Sequence, residues 1–314
     1  MRTHDGLTLH VRVDGPADAP LTVVALHGWT EDHEYWRYQV RDVRMRFGHD
    51  VRIITFDMRG HGLSDPTPYA AATIENLGRD LSDLIDTYVP TGRLLLLGHS
   101  MGGMTIMELC DIRPELFQER VVGVLFTNTS AGDLHDITLG LPRTGKRIKA
   151  QIARVLYFRA KRLTRKQRLR APIIESMVAR RFLFGDTYRL RDHMLIVESL
   201  INCPPSTMRG FFDDMMAHDR HAHVEILADV PTRILAGEKD LLTPVAHSRR
   251  LAAAIPGSRL IITPGCGHMM ALERDEHVSE QLIEMLSPAL ERQLAPTYAT
   301  RDDAEEVPVT ANAE

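Results

Sequence analysis

The sequence predicts an α/β protein with a mostly parallel sheet and helices on both faces. Three observations predict it. Short aliphatic or β-branched runs recur along the chain and end in turn residues, as buried parallel strands do. Helical patterns lie between these runs, and strand–helix alternation favours a parallel sheet covered on both sides. One run, Arg93-Leu94-Leu95-Leu96-Leu97, leads straight into Gly98-His99-Ser100-Met101-Gly102, after which a helical period opens.

The elements follow in order. Residues 7–13 alternate apolar and polar side chains, as a half-exposed edge strand does. Residues 22–26, 51–56, 94–97, 121–126, 232–236 and 259–262 are expected as strands. Residues 74–88, 101–113, 245–255 and 276–290 carry the helical period. The rhythm breaks once. Between Thr129 and Thr232 lie roughly a hundred residues, far beyond an ordinary connection, and helical patterns dominate them. The expected division is a core of residues 1–130 and 230–294 with a helical cap inserted at 131–229. Residues 295–314 are small, polar and acidic without periodicity, and are expected to form a disordered tail.

Bulk properties narrow the function. A chain of 314 residues can hold one large α/β domain or a domain with an insertion. Its net charge of −4 implies no nucleic-acid partner for the molecule as a whole. Cys110, Cys203 and Cys266 form neither a metal pattern nor a disulfide framework, so a reducing, cytoplasmic compartment is expected. Met1-Arg2-Thr3-His4-Asp5-Gly6 has no apolar segment of the secretory kind. No apolar stretch approaches the roughly eighteen residues of a transmembrane helix.

The pentapeptide at residues 98–102 has the form of a nucleophile elbow, a sharp strand-to-helix turn that lifts one hydroxyl above the sheet edge. A serine hydroxyl needs a base to take its proton, and the base needs an orienting carboxylate. Such partners belong in loops at the carboxyl ends of strands. Gly237-Glu238-Lys239-Asp240 and Pro264-Gly265-Cys266-Gly267-His268 are two such loops. The candidate catalytic residues are therefore Ser100, Asp240 and His268, with Glu238 as a neighbouring carboxylate.

On these motifs the chain resembles the α/β-hydrolase superfamily, in its serine esterase and lipase branch (monoacylglycerol-lipase-like or carboxylesterase-like), over about residues 7–290. The resemblance implies an eight-stranded, mostly parallel sheet with an inserted helical cap. Leu26-His27-Gly28-Trp29 resembles the family's oxyanion loop, which assigns the backbone N–H groups of Trp29 and Met101 as oxyanion donors. Asp57-Met58-Arg59-Gly60-His61-Gly62-Leu63-Ser64 resembles a bracing loop beneath it. Some relatives carry the acid after the earlier strand, where this chain has Asn128 and then Asp133. The implied activity is hydrolysis of carboxylic esters through an acyl-enzyme, with no cofactor and no metal. Thioester hydrolysis, acyl transfer, carbon–carbon bond hydrolysis and perhydrolysis use the same triad and stay open, as does a ligand receptor that retains the fold. Epoxide hydrolysis and dehalogenation need a carboxylate where this chain has Ser100.

Other residues divide by chemistry. His99, inside the elbow, is expected to pack under the nucleophile, and His27 and His61 to make structural hydrogen bonds. His218, His221 and His223 lack the carboxylate or cysteine spacing of a metal site. Methionines are dense near the expected pocket, and thioethers adapt to flexible chains. The expected pocket residues are His27, Met208, Phe212, Met215 and Met269, and the expected partner is a small acyl ester with an apolar acyl group. The cap carries twelve basic residues between Arg143 and Arg170 and no acidic one. Ile148, Ile152, Val155, Leu156 and Leu163 fall near helical spacing there, so one face is apolar and the other basic. Two readings remain: a solvated cap helix, or peripheral contact with an anionic membrane. The oligomeric state is not legible.

Overall fold

In the computed structural model, which describes residues 1–141 and 144–299, the sheet has seven strands. These are β1 (Val11–Asp14), β2 (Leu21–Leu26), β3 (Val51–Phe56), β4 (Arg93–His99), β5 (Val121–Thr127), β6 (Thr232–Gly237) and β7 (Arg259–Thr263). Their spatial order is β1-β3-β2-β4-β5-β6-β7, with β1 antiparallel and every other pair parallel. The family resemblance implies eight strands. The first nine residues instead fold back through Gly6, and only one bridge, Arg2 to Thr8, pairs them. The expected edge strand at 7–13 accordingly starts later, at Val11.

The continuous apolar runs follow from burial on both faces. Val24, Leu26, Leu94, Leu96 and Phe126 face one layer, built with α2 (Ile74–Tyr88) and α3 (Met101–Ile112). Val23, Ala25, Leu95, Leu97 and Leu125 face the other, built with α1 (Arg37–Phe47) and α12 (Asp275–Ala299). Shorter helices, α4 (Pro114–Glu119), α10 (Val245–Ala254) and α11 (Met270–Glu273), complete the connections of the core. Fully burying one such aliphatic side chain contributes about 1.5–3 kcal/mol, so the central strands anchor everything mounted on them. The helix α12 continues past Leu290 to Ala299, so the first five residues of the expected tail are helical. Residues 300–314 lie outside the described residues.

Between β5 and β6 the chain runs through α5 (Gly145–Arg162), α6 (Arg165–Arg170), α7 (Ile173–Val178), α8 (Leu190–Asn202) and α9 (Pro205–Ala217). A bridge between Gly132 and Asp219, and a hydrogen bond of 2.7 Å from Arg220 N–H to the Ala131 carbonyl, bring the ends of this segment together. After that neck, Val224 and Leu227 pack into the core layer of α2 and α3. Among the described residues, no helix is long and apolar enough to cross a membrane.

Candidate active site

Ser100 sits between β4 and α3 with φ +48° and ψ −114°, a strained backbone that projects the side chain off the strand end. The turn is crowded. A Cβ on Gly98 would lie 2.7 Å from Ile106 Cδ1 and 2.8 Å from the Gly103 nitrogen, and one on Gly102 would strike the carbonyls of Leu26 and His27. Only glycine leaves room for α3 to start against the end of β2.

Ser100 Oγ lies 3.1 Å from His268 Nε2, and His268 Nδ1 lies 2.8 Å from Asp240 Oδ2. Residues far apart in sequence thus meet at the carboxyl edge of the sheet. Asp240 accepts further hydrogen bonds from Leu242 N–H (2.8 Å), Thr243 N–H (3.0 Å) and Thr243 O–H (2.6 Å), which fix its carboxylate. Burial alone raises a carboxyl pKa, but the His268 charge and these donors outweigh it and hold Asp240 below its usual range. Burial likewise disfavours the His268 imidazolium, yet Asp240, with Glu31 and Glu273 behind it, leaves its pKa raised. Glu238 is turned to the Gly265 N–H instead, at 3.0 Å.

Asn128 occupies the earlier position where some relatives place the acid. It takes φ +46°, which a short polar side chain tolerates. Its carboxamide accepts from Gly237 N–H at 2.7 Å and donates to the carbonyls of Gly267 (2.9 Å) and His268 (2.8 Å). It therefore ties the loop carrying Asp240 to the loop carrying His268. Leu183, from the helical segment, accepts His268 N–H through its carbonyl at 2.7 Å.

The oxyanion loop is held from behind. Met58 N–H donates to His27 Nε2 at 3.0 Å, so His27 carries its proton on Nδ1 and donates it to the Gly28 carbonyl at 2.7 Å. This bond joins the loop of residues 57–64 to residues 26–29. Asp57 folds that bracing loop by accepting from His33 and from Leu63 N–H, and although burial raises its pKa these contacts bring it down to about 2. Arg59, fully buried, pairs with Asp80 and Asp5. The backbone N–H groups of Trp29 and Met101 have no protein acceptor among the described residues. His61 is buried and neutral, pushed down to about 3 mainly by desolvation.

Glu31 escapes sequence reasoning. It is buried beside the site, accepts Gly28 N–H at 2.7 Å, and lies 3.1 Å from His99 Nε2. Desolvation opposes its charge, but His99 and the Gly28 N–H keep its pKa lowered. Burial lowers the His99 pKa against the pull of Glu31, and the ring stacks on Tyr35 at 4.4 Å, with the His268 ring 4.8 Å away. His99 thus packs under the triad as expected.

Ser100 and His268 open into an apolar cleft of about 1010 Å³, solvent at its mouth included. Of the expected pocket residues, Phe212, Met215 and Met269 line it. His27 does not, because both its ring nitrogens are spent on loop bonds. Met208 does not either; it packs behind the wall with Leu156, Leu200 and Cys203. The wall facing the nucleophile comes from α5, α7 and α9 through Ile152, Leu156, Val178 and Met216, with Trp29 against Phe212 at 5.8 Å. Lys149 also reaches the lining, but its ammonium is drawn off by the carbonyls of Leu134 (2.7 Å) and His135 (3.3 Å).

Donor atoms of His10, His33 and Asp57, and of His4, Asp5 and Asp80, come within 4.8 Å of one another. In both groups the carboxylates are already engaged: Asp57 by His33 and Leu63 N–H, Asp5 and Asp80 by Arg59. His218 is buried, with a pKa pushed down to about 4 chiefly by desolvation, while His221 pairs with Asp219 and His223 with Asp111.

Residues 23–280 match the model of the alpha/beta hydrolase family. The chain belongs to that family. Among curated proteins, the chain is 36% identical over 104 residues to 3-oxoadipate enol-lactonase 1 of Acinetobacter baylyi; the match takes in 33% of the chain and only 36% of that relative. Among solved structures, it superposes on an enol-lactonase from Burkholderia xenovorans with a TM-score of 0.69 at 25% identity, covering 90% of the chain and 97% of the other. It also superposes on a thermophilic esterase from Thermogutta terrifontis with a TM-score of 0.69 at 23% identity, covering 91% and 95%.

Proposed function

We propose that this hydrolase cleaves carboxylic esters of apolar acyl groups through an acyl-enzyme on Ser100. The observation that carries the reading is the unbroken hydrogen-bonded line from Asp240 through His268 to Ser100, ending in an apolar cleft. In the first step Ser100 Oγ attacks the ester carbonyl while its proton passes to His268 Nε2. Asp240 holds the Nδ1–H tautomer and stabilises the imidazolium. The N–H groups of Trp29 and Met101 receive the oxyanion; losing one such donor typically costs about a hundred- to a thousand-fold in rate. The carbon–oxygen bond breaks, the alcohol leaves with the proton from His268, and water repeats the sequence to release the acid. Esterases and enol-lactonases among the relatives support acyl-oxygen chemistry over the triad's other uses.

The test is a panel of p-nitrophenyl esters of increasing acyl length, run beside the matching acyl thioesters. Each methylene buried in the cleft contributes about 0.8 kcal/mol, so kcat/KM should rise roughly fourfold per carbon until the cleft is filled. Flat or absent ester turnover, with thioesters preferred, overturns the proposal.

The pH profile follows from His268. Only the neutral imidazole accepts the serine proton, and its pKa lies above the ordinary histidine value of about 6.5. The account predicts that kcat/KM declines as pH falls, with an acid limb centred above that value. Measured across buffers of constant ionic strength, a limb centred below it would contradict the assigned role of Asp240.

A further inference from the structure

We propose that the outward face of α5–α7 docks this hydrolase onto an anionic lipid bilayer. The helix α5 has two different sides. Its inner side supplies Ile152, Ala153 and Leu156 to the cleft that holds Ser100 and His268. Its outer side presents Arg147, Arg154, Phe158 and Lys161, spaced by seven, four and three residues, which places them along one stripe of the helix.

The charges on this side are not neutralised from within. Among the basic residues of 143–170, Lys146 pairs with Asp136, Arg159 with Glu175 and Arg165 with Glu198, and Arg168 is buried. Arg143 lies outside the described residues. The remaining seven, Arg147, Lys149, Arg154, Lys161, Arg162, Lys166 and Arg170, have no acidic partner within 4.0 Å among the described residues; Lys149 is turned onto the Leu134 and His135 carbonyls, and the other six are exposed. A purely solvated helix of this length ordinarily mixes signs; this one has no acidic residue from Arg143 to Arg170.

Apolar side chains stand among these charges. Among the described residues, nine of the fourteen exposed large hydrophobic side chains fall between positions 141 and 194. Phe158 is 43% exposed on α5, and Ile173 and Met177 are 65% and 63% exposed on α7. Arg162 lies over the Phe158 ring, 6.0 Å from its centroid. Bases interleaved with protruding aliphatic and aromatic groups match a lipid interface, where head groups take the charges and the acyl boundary takes the apolar groups. A nucleic-acid partner would use the bases but would give Ile173 and Met177 nothing to contact. Since α5 and α7 also wall the cleft, docking brings the pocket wall to the membrane surface.

The test is cosedimentation of the full chain with large unilamellar vesicles of phosphatidylcholine, alone or with about a third phosphatidylserine, at about 50 mM and 500 mM NaCl. The expected result is sedimentation with the serine-containing vesicles at low salt and its loss at high salt, where the screening length shrinks to about 4 Å. The variant Arg147→Glu, Arg154→Glu, Lys161→Glu, Arg162→Glu should partition at least about 600-fold less, since each of the four bases near such a surface contributes roughly a fivefold factor. Phe158→Ser alone should weaken binding several-fold at unchanged charge. Turnover of a water-soluble short ester should be the same in all these proteins, which separates failure of docking from failure of the hydrolase reading. Absence of sedimentation at low salt overturns the proposal. So does equal binding to neutral vesicles, undiminished binding of the charge-reversed variant, or preferential binding to a duplex DNA oligonucleotide offered as competitor.

Discussion

Ser100→Ala is expected to lower kcat for ester hydrolysis by roughly a million-fold, with the fold intact. The size follows from the step that is lost. Without Oγ no acyl-enzyme can form, and His268 is left to assist water at a site shaped for a fixed hydroxyl. In serine hydrolases whose triad acts as a unit, removing the nucleophile alone costs about as much as removing the whole set, and the residue of about a thousand- to ten-thousand-fold over water comes from oxyanion donors and binding. The substitution removes one atom at 3.1 Å from His268 Nε2 and leaves the crowded glycines of the turn untouched. Substrate affinity and the thermal unfolding midpoint should therefore change little. Initial rates on the best ester of the acyl panel, with a melting curve beside them, check this; a loss smaller than about a hundredfold would assign the nucleophile elsewhere.

The second large effect belongs to Asp240→Asn. All four of the contacts on this carboxylate are donors: Leu242 N–H, Thr243 N–H, Thr243 O–H and the His268 ring. A carboxamide can keep its oxygen on the two backbone donors, but its NH2 then faces His268 Nδ1. That stabilises the tautomer protonated on Nε2, which cannot accept a proton from Ser100. A loss of about ten-thousand-fold in kcat, smaller than that of Ser100→Ala, is the expectation. Because the imidazolium also loses its counter-charge, the acid limb of any remaining activity should move to lower pH. Activity within about tenfold of the unsubstituted protein, with an unchanged limb, would show that another carboxylate orients the ring; Glu31 is the nearest candidate by charge.

Much of this site was legible because its signals are local. The glycines at 98 and 102 are demanded by contacts within one turn, and a serine between them after four leucines fits a strand-to-helix elbow and little else. The loops of Asp240 and His268 could be read from their places after strands. What stayed hidden depends on contacts across the fold. Glu31 gives no sequence signal beyond following the oxyanion loop; only the approach of β4 to β2 brings His99 against it. Asn128 was visible as the residue after β5, but its role as a brace needs the ends of β6 and β7 beside it. The pocket was half legible. Phe212, Met215 and Met269 line the cleft, while Met208, one turn before Phe212 on the same face of α9, is packed behind Leu156 and Leu200, which line the cleft in its place. Composition alone cannot say which residues of a long insertion reach the cleft. The strand count failed for a similar reason: residues 1–9 have turn chemistry at Gly6 that shortens their pairing to one bridge.

The central claim is that one hydroxyl, at position 100, is the reacting atom. Labelling the native protein with a fluorophosphonate, digesting it and mapping the adduct by mass spectrometry tests this most directly. The account predicts a single stoichiometric adduct on the peptide containing Ser100, with ester turnover lost in step with labelling. An adduct on another residue, or full ester turnover in unlabelled protein after exhaustive treatment, would contradict it.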